Sequence, residues 1–349
     1  MLTHVMSPRA MGRLVLVAIA GSFVMSEPAI AQNAADFFKG KTVNIVVSYA
    51  PGGGYDNYSR LLSRHFGDHI SGKPTVIVQN MPGGAGITAS NYIYVVAPKD
   101  GTMIAAVDQN IPMLQLLGGK GVQYDMAKVQ WLGNIASSNG VAMYWHGTPF
   151  RNIDDAKANE ITMGATGAND DAWVYAKTMN ALLGTKFKLI RGYAGTSAVN
   201  IAIESGEVQA MGRSTYYGFA SQRPDWVREK KVIFFVQLGF EKQPELPDVP
   251  MLSDLVQGEE AKQIAALVSL PTSIGYSHWL APEVPNARVE LLSSAYAATL
   301  KDPELLADAK KANLEVLPKT AAQLAALIKQ TSGTPKAIRD KTAAILEWN

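Results

Sequence analysis

The sequence of 349 residues contains no cysteine. This absence excludes disulfide bonds, zinc sites built on thiolates, catalytic thiols and a lipid anchor attached to a cysteine. The chain also lacks an excess of one charge, because 32 Lys and Arg stand against 30 Asp and Glu. We therefore expect no nucleic-acid partner. A chain of this length can be held together by its hydrophobic core alone.

Long apolar runs are scarce, and the run near the N-terminus, LVLVAIAGSFVM, is too short for a good transmembrane span. It follows Arg9 and Arg13 and precedes Ala29-Ile30-Ala31, a small-x-small pattern at which signal peptidases cleave. This order of features predicts a signal peptide over residues 1–31, cleavage before Gln32 and a periplasmic location. A buried N-terminal helix is the alternative.

Strand-like runs alternate with helical periodicity along most of the chain. TVNIVVSY, PTVIVQN and TMIAAVD are rich in Val and Ile, which is typical of a parallel sheet covered on both faces. A second set of strands begins near VQWLGNIAS and GVAMYWH. We predict an α/β fold with two lobes and mainly parallel sheets. Residues 32–139 with 275–349 form one lobe, and residues 140–274 form the other.

Four of these strands end in turns that contain glycine: APGGGYD, NMPGGAGIT, GATGANDD and RGYAGTS. Glycine allows positive φ and lets a ligand approach the main chain closely. Backbone N–H groups at the start of a helix suit an anion. Parallel strands bring their carboxyl ends to one edge, where ligands of such sheets bind. The turns therefore predict an anion site, with tight turn geometry alone as the alternative.

The residues around these turns resemble a known family. IVVSYAPGGGYDNYSRLL, VIVQNMPGGAGITASNYI and PKDGTMI are similar to the N-terminal hallmark of the tripartite tricarboxylate transporter receptors, the Bug-type periplasmic solute-binding proteins. RGYAGTSAVNIAIESGEVQAM, ELPDVPMLSD, WLAPEVP and TLKDPEL resemble later segments of that family in the same order. The resemblance spans nearly the whole mature chain.

The resemblance implies a periplasmic binding protein of the Venus-flytrap kind, type II-like, with a ligand cleft between its lobes. Such a protein is a monomer without catalytic activity or cofactor that captures a small carboxylate and delivers it to membrane permease subunits. Two loops of the first lobe are expected to grip one carboxylate group through backbone N–H groups. They contain Tyr49, Gly53, Gly54, Asp56, Asn80, Gly83, Gly84, Ala85 and Gly86. The opposing residues are Thr166, Asn169, Asp170, Tyr193, Gly195, Thr196, Arg213 and Ser214.

The sequence departs from the family pattern at Ser48, in the loop ATGANDDAW and at Arg213. Arg213 either takes a second acidic group of the ligand or neutralises Asp170 or Asp171. The two aspartates either cap a helix and face away from the ligand or receive a cationic group on it. These departures bear on the identity of the ligand more than on the fold.

The sequence also allows two other kinds of site. Gly84, Gly86 and Ala89 match G-x-G-x-x-A, with Asp108 at the end of the next strand, which allows an exported dinucleotide-dependent oxidoreductase. The segment HFGDH offers His65, Asp68 and His69 as potential metal ligands, but a solvated helix end is the favoured explanation and we expect no metal. A sensor that presents the same ligand to a signalling partner is a further alternative.

The first testable prediction concerns export. Because Arg9, the apolar run and Ala31 follow one another in the order of a secretory signal, mature protein isolated from the periplasm should begin at Gln32. Intact-mass measurement reads this directly. A mass that includes residues 1–31 would contradict both the signal peptide and the periplasmic location.

Overall fold

The computed structural model describes residues 36–137, 139–168, 170–212 and 215–348, apart from the side chains of Ala85 and Ser221. The predicted signal peptide therefore lies outside the described residues, as do Asn169, Arg213 and Ser214. The strands are β1 Thr42–Val47, β2 Thr75–Asn80, β3 Met103–Ala106, β4 Gln130–Asn134, β5 Gly140–Trp145, β6 Glu160–Ala165, β7 Lys186–Arg191, β8 Ala210–Met211, β9 Val232–Leu238 and β10 Ser277–Leu280.

Helices connect these strands and follow the last of them. They are α1 Gly54–His69, α2 Ile87–Asn91, α3 Ile111–Leu116, α4 Ile153–Ala158, α5 Asp171–Leu183, α6 Thr196–Glu204, α7 Tyr216–Gln222, α8 Pro224–Arg228, α9 Leu252–Leu255, α10 Glu259–Ile274, α11 Asn286–Thr299, α12 Pro303–Lys311, α13 Ala321–Ser332 and α14 Lys336–Leu346. Among the described residues, no helix has both the length and the apolar character needed to cross a membrane.

The strands form two five-stranded sheets with the same pattern. The first has the order β2-β1-β3-β10-β4, and the second has the order β7-β6-β8-β5-β9. In each sheet four strands run in the same direction, and one strand, β10 in the first sheet and β5 in the second, runs antiparallel to both of its neighbours. The α/β fold with two lobes is thus confirmed, and the sheets are mixed because β5 and β10 enter their sheets directly from the other lobe.

The first sheet is covered on both faces, as its apolar strands predict. Val43, Ile45 and Val47 of β1 pack into one hydrophobic cluster, whereas Val46 packs into another on the opposite face. The first cluster also contains the apolar side of α1, namely Tyr58, Leu61, Leu62 and Phe66. These four side chains are buried, so the helical periodicity of the sequence corresponds to a real packing face.

The C-terminal helix α14 packs on the far lobe. Its Ile338, Ala343 and Leu346 join the cluster that contains the second sheet, and Trp173 Nε1 donates a hydrogen bond to the Leu346 carbonyl oxygen at 2.7 Å. The chain thus passes between the sheets near residues 135–139 and 275–276, and again near residues 333–335. The third passage lies within the predicted block 275–349, so the exact lobe boundaries stay a prediction.

A buried histidine makes the stability of the first lobe depend on pH. His278 of β10 is 1% exposed, and its Nδ1 lies 2.9 Å from the Tyr296 hydroxyl. Burial lowers the pKa of this imidazole to about 3. The unfolded chain therefore binds a proton at His278 below about pH 6.5, whereas the folded chain stays neutral there until about pH 3.

The free energy of unfolding should therefore fall as the pH drops from about 6.5 towards 3, and His278→Gln should reduce that fall. The expected difference between wild type and variant is about 2–3 kcal/mol between pH 6.5 and 4. Urea unfolding at a series of pH values measures it. The exposed His146→Gln is the matched control and should follow wild type. Parallel curves for His278→Gln and wild type would contradict this assignment.

Candidate functional site

The first glycine turn joins β1 to α1 and leaves the start of the helix uncovered. Gly53 is the N-cap residue of α1, in an extended conformation, and no side chain caps the helix. Gly52 has φ 87°, which favours glycine. A Cβ added at Gly54 would lie 2.7 Å from the Tyr276 hydroxyl oxygen, so the first helical turn is too close to Tyr276 for a side chain there.

Asp56 fixes this turn from inside its own lobe. Its Oδ2 accepts hydrogen bonds from the Gly52 N–H at 2.9 Å and from Arg60 Nε at 2.8 Å, while its Oδ1 accepts one from Asn80 Nδ2 at 2.9 Å. Burial opposes ionisation, but the hydrogen bonds from Arg60, Gly52 and Asn80 outweigh it and hold the pKa of Asp56 below its usual value. Asp56 thus shapes the turn as an ionised carboxylate.

The second glycine turn follows β2 and is tied to the first through Asn80. Besides Asp56, the Asn80 amide donates to the Tyr49 carbonyl oxygen at 2.8 Å. Gly83, Gly84 and Gly86 have φ values of 150°, 54° and 103°, so this turn requires glycine for its backbone conformation. A Cβ at Gly86 would lie 3.2 Å from Asp108 Cβ, which places the turn beside the carboxyl end of β3.

The second lobe repeats the Asp56 arrangement. Asp170 is the N-cap of α5, and its Oδ1 accepts a hydrogen bond from the Trp173 N–H at 2.9 Å. Its Oδ2 accepts from the backbone N–H and the hydroxyl of Thr166, at 2.5 and 2.7 Å. Asp170 is fully buried, so it caps its helix and fixes its own turn, which is one of the two roles expected from the sequence.

The start of α6 faces the first glycine turn across the cleft. A Cβ added at Gly53 would lie 3.7 Å from Thr196 Oγ1, and one added at Gly52 would lie 3.1 Å from Ser197 Oγ. Gly195 lies opposite Ala50, and a Cβ added at Gly195 would lie 3.6 Å from the Cβ of Ala50. The helix N-termini of two lobes therefore meet with glycine and small hydroxyl residues between them.

A small cavity of about 20 Å³ lies at this meeting point. Both lobes contribute to its lining, and the residues are Gly54, Tyr55, Gln109, Asp171, Thr196, Thr215 and Tyr276. Asp171 bridges the lobes here, because its Oδ1 accepts a hydrogen bond from Asn110 Nδ2 at 2.6 Å and the Gln109 amide lies within 3.3 Å of both carboxylate oxygens. The cleft is thus closed in this structure.

Tyrosines form the floor of the cavity on the side of the first lobe. Tyr55 lies 5.4 Å from Tyr49 and 5.0 Å from Tyr276, measured between ring centroids, and Tyr276 stacks on Tyr58 at 4.2 Å. The Tyr55 hydroxyl accepts a hydrogen bond from the Gln109 N–H at 2.8 Å. Burial, with the charges of Asp108 and Asp171, raises the pKa of Tyr55 well above its usual value, so Tyr55 is a neutral phenol.

The structure brings some of the expected site residues together and places others elsewhere. Gly54 and Thr196 line the cavity, with Gly53 and Gly195 beside it. Asp56, Asn80, Thr166 and Asp170 bond within their own lobes. The Tyr193 hydroxyl donates to Glu207 at 2.6 Å, and burial together with Glu207 raises the pKa of Tyr193 to about 12. Gly83, Gly84 and Gly86 are not among the described residues that line the cavity, and the side chain of Ala85 lies outside the description.

Other cleft residues were not among the expected set. Gln109 and Asn110 follow directly after the strand TMIAAVD, so the edge rule used for the other turns also applies to this third strand end. Tyr276 lies in a predicted crossing segment. Thr215 is two residues beyond Arg213 at the end of its strand. None of these positions lies in a glycine turn, so the glycine motifs do not point to them.

The residues of the two alternative motifs make hydrogen bonds and ion pairs within the protein. Nε2 of His65 lies 3.3 Å from Asp308 Oδ2, and Nε2 of His69 lies 2.8 Å from Asp302 Oδ2, so both histidines pair with α12. Within the described part of the chain, no group of three or more His, Cys, Asp or Glu residues is arranged to hold a metal ion. Asp108 accepts hydrogen bonds from the Tyr49 hydroxyl and from the Asn110 N–H.

Comparison with known proteins identifies relatives along most of the chain. Residues 67–343 match the family described as the tripartite tricarboxylate transporter family receptor. The chain is 24% identical over 337 residues to the UPF0065 protein in gbd 5'region of Cupriavidus necator, and the match covers 94% of each chain.

Solved structures share the fold. The periplasmic binding protein BugD superposes with a TM-score of 0.70 at 19% identity, covering 88% of this chain and 98% of BugD. An adipate-bound protein of R. palustris gives 0.67 at 16% identity, covering 88% and 97%. MatC of Rhodopseudomonas palustris, with bound malate, gives 0.66 at 16% identity, covering 86% and 98%. These structures have the two-lobe architecture of periplasmic binding proteins.

The bonds made by Asn80 lead to a prediction about the loops. Asn80→Ala removes the donor to both Asp56 and the Tyr49 carbonyl oxygen, so it should lower the free energy of unfolding by about 1–3 kcal/mol. Urea unfolding measures this loss. Asn159→Ala, which removes an exposed amide bonded to the Asp155 carbonyl oxygen, is the matched control and should cost less. Equal losses in the two variants would contradict the role given to Asn80.

Proposed function

Because the chain belongs to the tripartite tricarboxylate transporter receptor family, we propose that it captures a small carboxylate between its lobes and delivers it to the membrane permease subunits of such a transporter. The observation that carries this proposal is the approach of two helix N-termini from opposite lobes. Gly53 at the start of α1 and Thr196 at the start of α6 face the same space. Partial positive charge from both helix ends favours an anion there.

The ligand's carboxylate is held mainly by main-chain groups of the first lobe. The N–H groups from Gly53 to Tyr55 lie at a helix start without a side-chain cap, so they offer donors without steric cover. The loop from Asn80 to Gly86 also contacts the carboxylate when the lobes are apart. Thr166, Gly195 and Thr196 contact the ligand from the other lobe when the lobes close. Asp56 and Asp170 set the shape of the two turns.

The bound ligands of structural relatives support the class of ligand. One relative is solved with malate and another with adipate, which differ in length but share carboxylate groups. Backbone N–H groups that bind one carboxylate suit both ligands, because they contact the group that the ligands share. The rest of the ligand then contacts the opposing lobe. Asn169, Arg213 and Ser214 are expected to contribute to that lobe's surface.

The remaining features of the proposal follow from the family. Members of the family are periplasmic, and this chain is proposed to reach the periplasm through cleavage of residues 1–31. We propose a monomer that binds and releases its ligand without changing it chemically, since the relatives are binding proteins. Opening of the lobes about the crossing segments admits the ligand, and contact with the permease favours its release.

A thermal-shift screen of about a hundred carboxylates tests the proposed function. A true ligand present at a hundred times its Kd should add about 2.7 kcal/mol to the free energy of unfolding. No stabilisation by any carboxylate would contradict the proposal.

The variant Gly53→Val shows whether binding depends on the first glycine turn. With φ at −88° the backbone accepts a side chain, so the variant should fold, while its methyl groups fill the gap to Thr196. We expect at least about a tenfold loss of affinity, or 1.4 kcal/mol. Gly147→Val, exposed and outside the cleft, is the matched control. Unchanged binding by Gly53→Val would mean that this turn does not hold the ligand.

A further inference from the structure

Arg339 lies just after the third passage of the chain between the lobes. It belongs to α14, which follows residues 333–335 and packs on the second lobe. The side chain of Arg339 is partly buried, and its Nε is fully buried without a hydrogen-bond partner. A guanidinium group is always charged and contains only donors, and a buried donor without an acceptor is costly. Arg339 therefore has an unused donor inside the protein.

The charge of Arg339 is not neutralised within the described part of the chain, where it forms no ion pair. Its acidic neighbour Asp340 pairs with Lys336 instead, at 2.6 Å between Oδ2 and Nζ. Asp125 pairs with Lys128, at 3.1 Å between Oδ2 and Nζ. These two carboxylates already have cationic partners, so the guanidinium group remains available to another anion.

A cavity of about 210 Å³ lies beside Arg339, between α3, α13 and α14. Arg339 is the only charged residue among the described lining residues. Five others are apolar, namely Pro112, Leu116, Met126, Ala127 and Ile328. The cavity is smaller than the roughly 300–1,000 Å³ typical of sites for drug-sized ligands, so it suits a small molecule. One positive charge beside an apolar wall suits a ligand with one negative charge and an apolar body.

The other polar side chains of the lining already bond within the protein. Gln115 Nε2 donates a hydrogen bond to Asp125 Oδ1 at 3.2 Å, and Gln115 Oε1 accepts one from a backbone N–H at 2.8 Å. The hydroxyls of Thr331 and Ser332 donate to carbonyl oxygens of α13. Recognition of a charged group in this cavity therefore falls to Arg339.

We propose that this cavity is a second binding site, which takes a small monocarboxylate with an apolar body. The Arg339 guanidinium binds the carboxylate, whose two oxygens match its planar fork, and the apolar side chains contact the body. A second carboxylate would meet no further cation among the described lining residues, so dicarboxylates are disfavoured.

The proposed site is separate from the cleft. It shares no described lining residue with the cavity between the glycine turns, so the inference does not depend on the proposed function. Ile328 and Met126 pack on the first sheet, whereas α14 packs on the second lobe. A bound molecule therefore contacts elements of both lobes beside the passage that joins them.

Methyl NMR tests the proposal at the cavity itself. Met126 is 2% exposed and lines the cavity, so its methyl group, labelled with ¹³C and assigned through Met126→Leu, reports on an occupant. Titration with hexanoate should shift this resonance to saturation. Arg339→Gln should weaken hexanoate binding at least about tenfold, because it removes the charged donor. Arg228→Gln, which removes an exposed guanidinium paired with Glu229, is the matched control and should bind like wild type.

A second ligand keeps the test decisive if Arg339→Gln fails to fold. Hexanamide has the shape of hexanoate without its charge and should bind wild type at least about tenfold more weakly. Equal binding of the two, or no saturable shift of Met126 with hexanoate, would overturn the inference. A shift that disappears in Gly53→Val would assign the signal to the cleft and would also overturn it.

A purely structural role for Arg339 gives a different result. The last turns of α3 and α13 lie beside Arg339, and their carbonyl groups carry partial negative charge. If Arg339 only neutralises these helix ends, Arg339→Gln should lower the free energy of unfolding and leave hexanoate binding unchanged. That outcome would overturn the inference. The proposed function would stand, because the carboxylate screen reads the cleft through other residues.

Discussion

The close approach of two glycine-containing turns is the constraint on which the cleft depends. A Cβ at Gly53 would already lie 3.7 Å from Thr196 Oγ1, and a Cβ at Gly52 would lie 3.1 Å from Ser197 Oγ. Larger side chains here would hold the lobes apart. Gly53 is therefore needed for its small size and not for its backbone angle, since its φ is −88°. Small residues allow two partially positive helix ends to share one space.

The acidic residues around that space divide into two roles. Asp56 and Asp170 each accept a hydrogen bond from the backbone N–H four positions earlier, at Gly52 and Thr166, and thereby fix the turn of their own lobe. Asp171 reaches across to the opposite lobe. A binding site for an anion can contain these carboxylates because each of them accepts hydrogen bonds from the protein, Asp56 and Asp170 inside their own lobes and Asp171 from amides of the opposite lobe.

Much of the fold follows from local sequence patterns. The buried runs around Val43 and the helical spacing from Tyr58 to Phe66 correspond to β1 and α1, since each pattern is satisfied by short-range geometry and one packing face. The single antiparallel strand of each sheet and the packing of α14 on the second lobe were not predicted. Both depend on where the chain crosses between lobes, which local periodicity does not encode.

The sequence by itself determined the two-lobe α/β class and the strand ends that carry glycine, and it led to the expectation of an anionic ligand, because turn glycines and helix starts act through their own backbone. Tertiary structure alone decided which side chains enter the cleft. Asp170 and Asp171 look alike in sequence, yet the direction of α5 turns one inward and the other towards Asn110, which is 61 residues away in the chain. Contacts between lobes arise from the approach of distant segments, and a local pattern contains no record of that approach.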